Sequence, residues 1–398
     1  MKGIEGGITA AAGYRTGAVH SGIRGNQAKK DLAIIVSDVP CQAAAVYTSN
    51  IVKAAPLHIT KQHLADGQAQ AIVINSGNAN ACAPRGEENA KREAMAAARL
   101  LGLKPEAVLV ASTGVIGQEL PIEVIESAAG QIVLGTDSAD TARAIMTTDT
   151  KIKQVAVEFE LDGKTVHLGG IAKGSGMIHP NMGTMLCFVT TDAAISHEAL
   201  QAALSKTVKT TFNRISVDGD TSTNDMCIVL ANGLAGNREI TGTDPVFDQA
   251  LETVMRELAV MIASDGEGAS RLIVSTVVNA RDEQQAETLA MSVASSSLFK
   301  AAIFGSDANW GRVLCAMGYS GAEFDPEKVD VTFHSEAGSI TVARDGRGLP
   351  FDEDLAKQIL SRDQVQVIMN LHEGSASVTC WGCDLTYEYV KINGDYRS

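Results

Sequence analysis

The chain has 398 residues, 45% of them hydrophobic and 20% charged, which is enough apolar material for one large α/β body or two domains. Its formal net charge of −14 argues against a surface for nucleic acid or anionic membrane and favours small-molecule ligands. No stretch reaches the ~20 apolar residues of a membrane span, and residues 1–14 lack the apolar core of a signal peptide. Seven cysteines, most of them in apolar runs, are typical of reduced thiols in a cytoplasmic protein.

Short runs rich in Val and Ile recur in the first part of the chain and predict buried strands at residues 31–38, 43–49, 69–77 and 107–114. An Ala-rich segment at residues 87–102 lies between two of these runs and predicts a helix. Strands that are interleaved with helices indicate a mixed α/β fold.

Residues 154–172 alternate apolar and polar side chains around Asp162 and Gly163. This pattern predicts a β-hairpin, because Asp-Gly accepts the positive φ angles of a type I′ turn. Later elements, in chain order, are a helix with Ser196 as its N-cap, a helix at 246–264, a strand at 271–280, a helix at 282–297 and a hairpin of strands at 329–335 and 339–346.

Residues 173–188, KGSGMIHPNMGTMLCF, place a Gly-rich stretch directly before Thr184 and a strand-like run after it. An N-terminal Thr can act as nucleophile and base at once, because its own α-amine, with a reference pKa of about 7.7–8.0, can take the hydroxyl proton. Thr184 becomes N-terminal only if the bond behind it breaks, and Gly183, lacking Cβ, tolerates a strained peptide there. Taken alone, this stretch is better explained as a surface loop that enters a strand.

A second stretch, VLVASTGVIG at residues 108–117, ends a buried strand in Ser112, Thr113 and Gly114. Backbone N–H groups and a hydroxyl exposed at a strand end can bind a developing oxyanion. A plain strand-to-loop turn is the simpler interpretation of this stretch by itself.

Together the two stretches resemble the ornithine acetyltransferase (glutamate N-acetyltransferase, ArgJ) family of arginine biosynthesis. Further matching stretches are spread along the whole chain in the family's order. They include KKDLAIIVSDVP (29–40), AIVINSGNANAC (71–82), AIMTTDT (144–150), ISVDGDTSTND (215–225), SDGEGASRL (264–272), AIFGSDANWGRV (302–313) and WGCDLTYEYVKIN (381–393). A match this long and ordered is far more specific than any one of these motifs.

The resemblance implies that the chain cleaves itself between Gly183 and Thr184, giving an α chain (1–183) and a β chain (184–398) that includes a smaller C-terminal domain from about residue 275. It implies a layered αββα-type sandwich related to self-processing N-terminal-nucleophile enzymes. Gly183 departs from the Ala that the family usually has before the Thr, but it keeps the small size that cleavage needs. Ser398 departs from the common terminal Thr and keeps the hydroxyl.

The implied site has Thr184 as the nucleophile and Thr113 and Gly114 as the oxyanion hole. The implied substrate-binding residues are Thr147, Lys173, Thr184, Glu267, Asn393 and Ser398. Lys173 offers a charge to an α-carboxylate and Glu267 can meet the side-chain ammonium of ornithine, while the remaining side chains supply hydrogen bonds. Without the resemblance, each of these charges would be read as an ordinary solvated residue.

The implied reaction is ping-pong transfer of acetyl from N2-acetylornithine to glutamate through an acetyl-Thr184 ester. It needs no metal or redox cofactor. Some family members also accept acetyl-CoA as a co-substrate, and no feature of the sequence decides this. The family suggests an assembly of two α and two β chains, with no nucleic-acid or membrane partner.

Two alternatives stay open. A self-processing N-terminal-Thr amidohydrolase or aminopeptidase would have the same nucleophile but pass the acyl group to water. A non-catalytic amino-acid-binding protein could keep the fold, although the presence of Thr184, Thr113 and Gly114 argues against it.

Other motifs are weak. Cys380 and Cys383 have CxxC spacing but no βαβ context, and the eight histidines show no metal-ligand spacing. Asp218, Asp220 and Asp225 lack the register of a calcium loop and indicate a structural turn.

Overall fold

The computed structural model describes residues 1–24, 29–179 and 185–395. Gly183, Thr184 and Ser398 of the predicted site therefore lie outside the described residues. The strands are β1 (Lys2–Ile4), β2 (Tyr14–Val19), β3 (Leu32–Tyr47), β4 (Gln68–Asn75), β5 (Val108–Ser112), β6 (Lys153–Leu161), β7 (Lys164–Lys173), β8 (Leu186–Thr191), β9 (Ile215–Ser216), β10 (Met226–Ala231), β11 (Leu272–Ala280), β12 (Asp330–Ser335), β13 (Gly338–Arg344), β14 (Arg347–Gly348), β15 (Gln364–Asn370) and β16 (Ala376–Cys383). The helices are α1 (Ala55–His63), α2 (Gly86–Leu101), α3 (Ile122–Ala129), α4 (Ser138–Ala144), α5 (His197–Thr210), α6 (Pro245–Ser264), α7 (Glu283–Ser295), α8 (Ser297–Phe304), α9 (Trp310–Gly318), α10 (Glu353–Leu360) and α11 (Tyr387–Asp395).

Among the described residues, the larger sheet has nine strands in the order β1-β6-β7-β8-β10-β3-β4-β5, with β2 paired to β3. Two strand pairs are parallel, β8 with β10 and β4 with β5. Every residue of β8 and β10 is buried, because both faces of these central strands are covered, and apart from Thr190 and Thr191 their side chains are apolar. Strands β8 and β10, which follow residue 184, are inserted between β7 and β3, which precede it.

Helix α6 packs against strands of both sheets. Its N-terminus is capped by the Asp244 side chain and has Pro245 at the first position, a strong start signal. Its buried face packs with the larger sheet, and the same apolar cluster continues into Leu272 and Val274 of β11. The helix therefore lies between the two sheets and fixes the loop that follows it.

The second sheet has seven strands in the order β14-β13-β12-β15-β11-β16-β9. A separate apolar cluster forms between this sheet and the helices α7 to α10. The predicted fold class, a layered α/β sandwich with a smaller C-terminal α/β unit, is confirmed. The start of that unit at about residue 275 stays a prediction. No helix within the described ranges is both long enough and apolar enough to cross a membrane.

The predicted turn at Asp162 and Gly163 and the predicted helix cap at Ser196 are both present in the structure. The predicted hairpin is β6 and β7, and Asp162 and Gly163 have the φ angles of 49° and 72° expected at its turn. Ser196 caps α5 by accepting a hydrogen bond from the N–H of Ala199 at 3.3 Å. The prediction of two strands at residues 31–38 and 43–49 was wrong.

Those two segments are one strand of 16 residues, β3. Its register against β4 shifts between Val36 and Cys41, on either side of Pro40. Proline cannot donate to a ladder, and an irregularity of this kind lets the strand continue past it.

Candidate active site

The loop after β5 carries Thr113 and Gly114 into the interior of the protein. The N–H of Thr113 donates to the carbonyl of Asn75 at 3.0 Å, which fixes the direction of the loop. Gly114 has a φ of 133°, and a Cβ there would lie 2.5 Å from the carbonyl carbon of Gly77, so the position requires glycine. The N–H of Gly114 makes no hydrogen bond to another described residue. A free backbone donor of this kind can bind an oxyanion.

Lys173 is the last residue of β7, and its side chain is buried. Among the described residues, it is the only lysine whose ammonium contacts Thr113. Its Nζ donates to the Thr113 hydroxyl oxygen at 3.4 Å. Burial lowers the pKa of Lys173, while the charges of Asp149 and Glu267 act in the opposite direction. Because the Thr113 oxygen accepts from Lys173, the Thr113 hydroxyl proton is directed away from Lys173 and is available to a ligand.

Glu267 lies in the loop after α6 and is held by the C-terminal helix. Asn393 of α11 donates its amide N–H to Glu267 Oε2 at 2.7 Å. The segment after β7 passes close over this carboxylate, since a Cβ on Gly176 would lie 2.5 Å from it. The carboxylate is therefore fixed from two sides by elements that are distant in the sequence.

One cavity collects these side chains. Its walls include six of the predicted site residues, namely Thr113, Gly114, Thr147, Lys173, Glu267 and Asn393. Met185, the residue that follows Thr184 in the chain, also lines it. The structure thus brings together the predicted residues that it describes, from positions as far apart as 113 and 393.

The sequence interpretation missed several further residues of the cavity wall: Asp218, Asp220, Asn224, Asp225 and Tyr389. The interpretation of Asp218 as a turn residue agrees with the structure, because its Oδ1 accepts the N–H of Asp220, two residues further on, at 3.2 Å. The same carboxylate also accepts the N–H groups of Met177 and Ile178 at 2.7 and 2.8 Å. The stretch ISVDGDTSTND was the available signal, but its carboxylates were weighed only as a metal loop or a turn.

Asn224 and Asp225 support the same wall in different ways. The Asn224 amide donates to the carbonyls of Ala79 and Ser112 at 2.6 and 2.8 Å and so braces the strand end before Thr113. Asp225 is 2% exposed, and its Oδ2 has no hydrogen-bond partner among the described residues. Burial raises the pKa of Asp225 well above its ordinary value, which favours the neutral acid.

Behind the loop of Thr113 lies a buried carboxyl, Glu93 of α2. The Asn75 amide donates to its two oxygens at 3.3 and 3.4 Å and to the Ser112 hydroxyl at 2.7 Å. Glu93 is 0% exposed, and burial raises its pKa from 4.5 to about 8, although the hydrogen bond from Asn75 acts in the opposite direction.

This shift predicts a pH-dependent loss of stability that Glu93→Gln removes. Between pH 4.5 and about 8 the folded chain holds a proton that the unfolded chain has released, so stability falls as the pH rises through this window. Glutamine is neutral throughout. At pH 9 we expect the variant to be more stable than the wild type by roughly 2–4 kcal/mol, and at pH 5 the two should be alike.

Urea unfolding at a series of pH values measures this difference. Glu88→Gln is the matched control, because Glu88 lies on the same helix but is exposed. The control should follow the wild-type curve. Parallel curves for wild type and Glu93→Gln from pH 5 to 9 would contradict the burial of a neutral acid.

Cys380 and Cys383 are both buried on β16, and burial raises the pKa of Cys383 to about 11. A buried thiol of high pKa is a poor nucleophile, in agreement with the weak interpretation of the CxxC spacing.

A sequence model of the ArgJ family matches residues 15–398. The chain belongs to the ArgJ family. The predicted family is therefore confirmed, and with it an enzyme of arginine biosynthesis.

ArgJ relatives resemble the chain over its whole length. The arginine biosynthesis bifunctional protein ArgJ of Symbiobacterium thermophilum is 50% identical, with 100% of both chains covered. The protein of the same name from Thermotoga neapolitana is 50% identical over 97% of this chain and 99% of its own. A crystal structure of arginine biosynthesis bifunctional protein ArgJ from Bacillus halodurans is 46% identical with a TM-score of 0.50, and the match covers 98% of that chain but 52% of this one.

Proposed function

We propose that this ArgJ-family chain is a glutamate N-acetyltransferase that cuts itself between Gly183 and Thr184 and then moves an acetyl group from N2-acetylornithine to glutamate. The observation that carries the proposal is the convergence of Thr113, Gly114, Lys173 and the other described candidates on one cavity. Residues that no local pattern connects line the same cavity, which supports acyl transfer as the reaction.

The nucleophile in this proposal is the Thr184 hydroxyl. Its oxygen attacks the acetyl carbonyl, and its own α-amine accepts the hydroxyl proton. The amide C–N bond of acetylornithine breaks, the proton passes to the leaving amine of ornithine, and the acetyl group remains on Thr184 as an ester. The neutral glutamate amine then attacks that ester and gives up a proton to the α-amine, the C–O bond breaks, and the α-amine passes this proton to the Thr184 oxygen. Met185 on the cavity wall supports this assignment, because it is bonded to Thr184.

Negative charge that develops on the acetyl oxygen needs donors that are already oriented. The free N–H of Gly114 and the hydroxyl of Thr113 are two such donors on one loop. They remain in position because Asn75 and Asn224 bind the N–H and the carbonyl of the peptide group between Ser112 and Thr113. Donors that need no reorganisation contribute most when the site excludes water.

The charges of the cavity suit a diamino acid. Lys173 supplies a cation for the α-carboxylate, close to the oxyanion donors. Glu267, Asp218 and Asp220 make another part of the wall acidic, which favours a side-chain ammonium. Thr147 and Asn393 each supply a hydrogen-bonding group for the substrate, and we assign the same role to Ser398.

Self-cleavage gains support from the solved relative. The crystallised chain from Bacillus halodurans is matched almost end to end by 52% of this chain, so that chain is about half as long. A relative that has been cut into two chains of similar size would give this result. Mass spectrometry of the purified protein tests the same point directly for this chain.

A double-displacement assay tests the proposed reaction. With N2-acetylornithine labelled in its acetyl group, we expect label in N-acetylglutamate and a transient protein adduct on the peptide that begins at Thr184. Ornithine release should rise at least about 10-fold when glutamate is added, because the amine intercepts an ester that water opens slowly. Release that does not respond to glutamate would favour the amidohydrolase, and bound but unchanged acetylornithine would favour a binding protein.

The same assay with labelled acetyl-CoA decides whether it is a second acetyl donor. We also propose that two copies of each fragment assemble, which light scattering of the purified protein tests.

A further inference from the structure

A buried cluster of three charges lies behind the cavity wall, formed by Asp149, Lys153 and Asp265. Lys153 Nζ lies 2.7 Å from Asp149 Oδ1 and 2.6 Å from Asp265 Oδ2. The side chains are 0%, 1% and 5% exposed for Asp149, Lys153 and Asp265 respectively. Charges this deeply buried are retained in proteins only when they are paired and hydrogen-bonded. None of the three lines the cavity.

The carboxylate of Asp149 binds two segments of the wall. Its Oδ2 accepts the N–H of Thr147 at 3.0 Å, and its Oδ1 accepts the N–H of Gly174 at 2.7 Å. Gly174 directly follows Lys173, so this one side chain fixes the backbone at two proposed substrate-binding residues. Each of its oxygens thus accepts one of these backbone N–H groups.

Asp265 binds the third segment. Its carboxylate accepts the N–H groups of Thr150 and Lys151 at 3.0 and 3.2 Å, and the Thr150 hydroxyl also donates to it. Its backbone carbonyl accepts the Ser175 hydroxyl at 2.7 Å, and the carbonyl of Ser175 in turn accepts the N–H of Glu267 at 2.9 Å. The end of α6, the segment after β7 and the loop before β6 thus meet at one ammonium.

We infer that the buried Asp149–Lys153–Asp265 cluster positions Thr147, Lys173 and Glu267 for the amino-acid substrate, and that Asp149 and Asp265 set the affinity without touching it. The inference rests on the proposed function for the identity of that substrate. The ammonium of Lys153 holds the two carboxylates together, since without it they would repel each other in a low-dielectric interior. These are positioning residues, so their loss should weaken binding more than it slows the chemical step.

Asp149→Asn is the sharpest test, because it keeps the shape but leaves one acceptor oxygen for two backbone donors. We expect the KM for N2-acetylornithine and the Kd for L-ornithine to rise about 10-fold, with kcat within about 3-fold of wild type. Steady-state kinetics and isothermal titration with L-ornithine measure the two constants, and the thermal midpoint is recorded for each variant.

Asp192→Asn is the matched control. Asp192 is also a buried carboxylate that accepts two backbone N–H groups, from Ala12 at 3.1 Å and His167 at 2.7 Å, and its Oδ2 lies 2.9 Å from the ring Nδ1 of His167. It follows the far end of β8 and does not line the cavity. A purely structural role predicts that both variants lose thermal stability and keep KM and Kd. That outcome for Asp149→Asn would overturn the inference.

Thr150→Val covers the case in which Asp149→Asn does not fold. Thr150 is exposed, and the change removes only its hydroxyl bond to Asp265. We expect about a 3-fold rise in the Kd for L-ornithine, and an unchanged Kd would overturn the inference. A wild-type protein that binds L-ornithine but transfers no acetyl group would overturn the proposed function alone, since the titrations of the variants would still decide the role of the cluster.

Discussion

Thr184→Ala is expected to leave the protein as one unbroken chain and to lower acetyl transfer by at least about 10⁴-fold. The change removes the hydroxyl oxygen that is proposed to attack the carbonyl carbon of Gly183. The peptide bond therefore stays intact and no α-amine is released. It also removes the oxygen that would carry the acetyl group. Intact mass spectrometry should show two fragments for the wild type and a single chain for the variant, and the labelled transfer assay measures the rate.

Thr184→Ser is the control for this prediction, because serine keeps the hydroxyl and loses only a methyl group. We expect it to be cut and to retain measurable transfer. A wild-type enzyme that is fully active as one continuous polypeptide would contradict the proposal. An alanine variant with undiminished turnover would contradict it equally.

Gly114→Ala is expected to lower kcat by about 10²–10³-fold and to destabilise the folded protein by roughly 2–4 kcal/mol. The new Cβ would lie 2.6 Å from the carbonyl oxygen of Gly77 and 2.7 Å from the nitrogen of Asn78. Both are backbone atoms, which cannot rotate away. The loop must therefore shift, and the N–H of Gly114 shifts with it away from the position of the oxyanion.

The matched control is Gly117→Ala in the same loop. Gly117 also has a positive φ, of 78°, but nothing lies within 4 Å of the position that its new Cβ would take. Its replacement should cost about 1 kcal/mol or somewhat more through backbone strain and leave kcat close to wild type. Equal kinetics for the two variants would show that the close approach of Gly114 to Gly77 has no part in catalysis.

Sequence patterns predicted the local features well where the deciding residues are neighbours. The turn at Asp162 and Gly163 and the cap at Ser196 depend on side chains within a few positions of one another. The single strand β3 was predicted as two strands because its pairing with β4 on both sides of the irregularity is a tertiary effect, which the separate apolar runs do not show. Strands β8 and β10 do not show the alternation of apolar and polar residues that marks a half-exposed strand, because both of their faces are buried.

The candidate site could be predicted only through the resemblance to a family. No local pattern connects Thr113 with Asn393, and each alone had a simpler interpretation. The buried cluster shows the same limit, because Lys153 looks like an ordinary charged residue at the start of a strand. Its partner Asp265 is 112 positions away, and only the fold shows that the two are paired.

The insertion of β8 and β10 between β7 and β3 would have a consequence for the stability of the protein after the proposed cleavage. Neither fragment can complete the larger sheet alone, so a chain that folded as a single molecule would, after cleavage, be held by association of two molecules. Unfolding would then obey mass action, and dilution would favour the separated fragments. Refolding to the native state would then require the two separated fragments to meet and associate, whereas an uncut chain refolds as one molecule. The proposed cleavage would therefore be difficult to reverse.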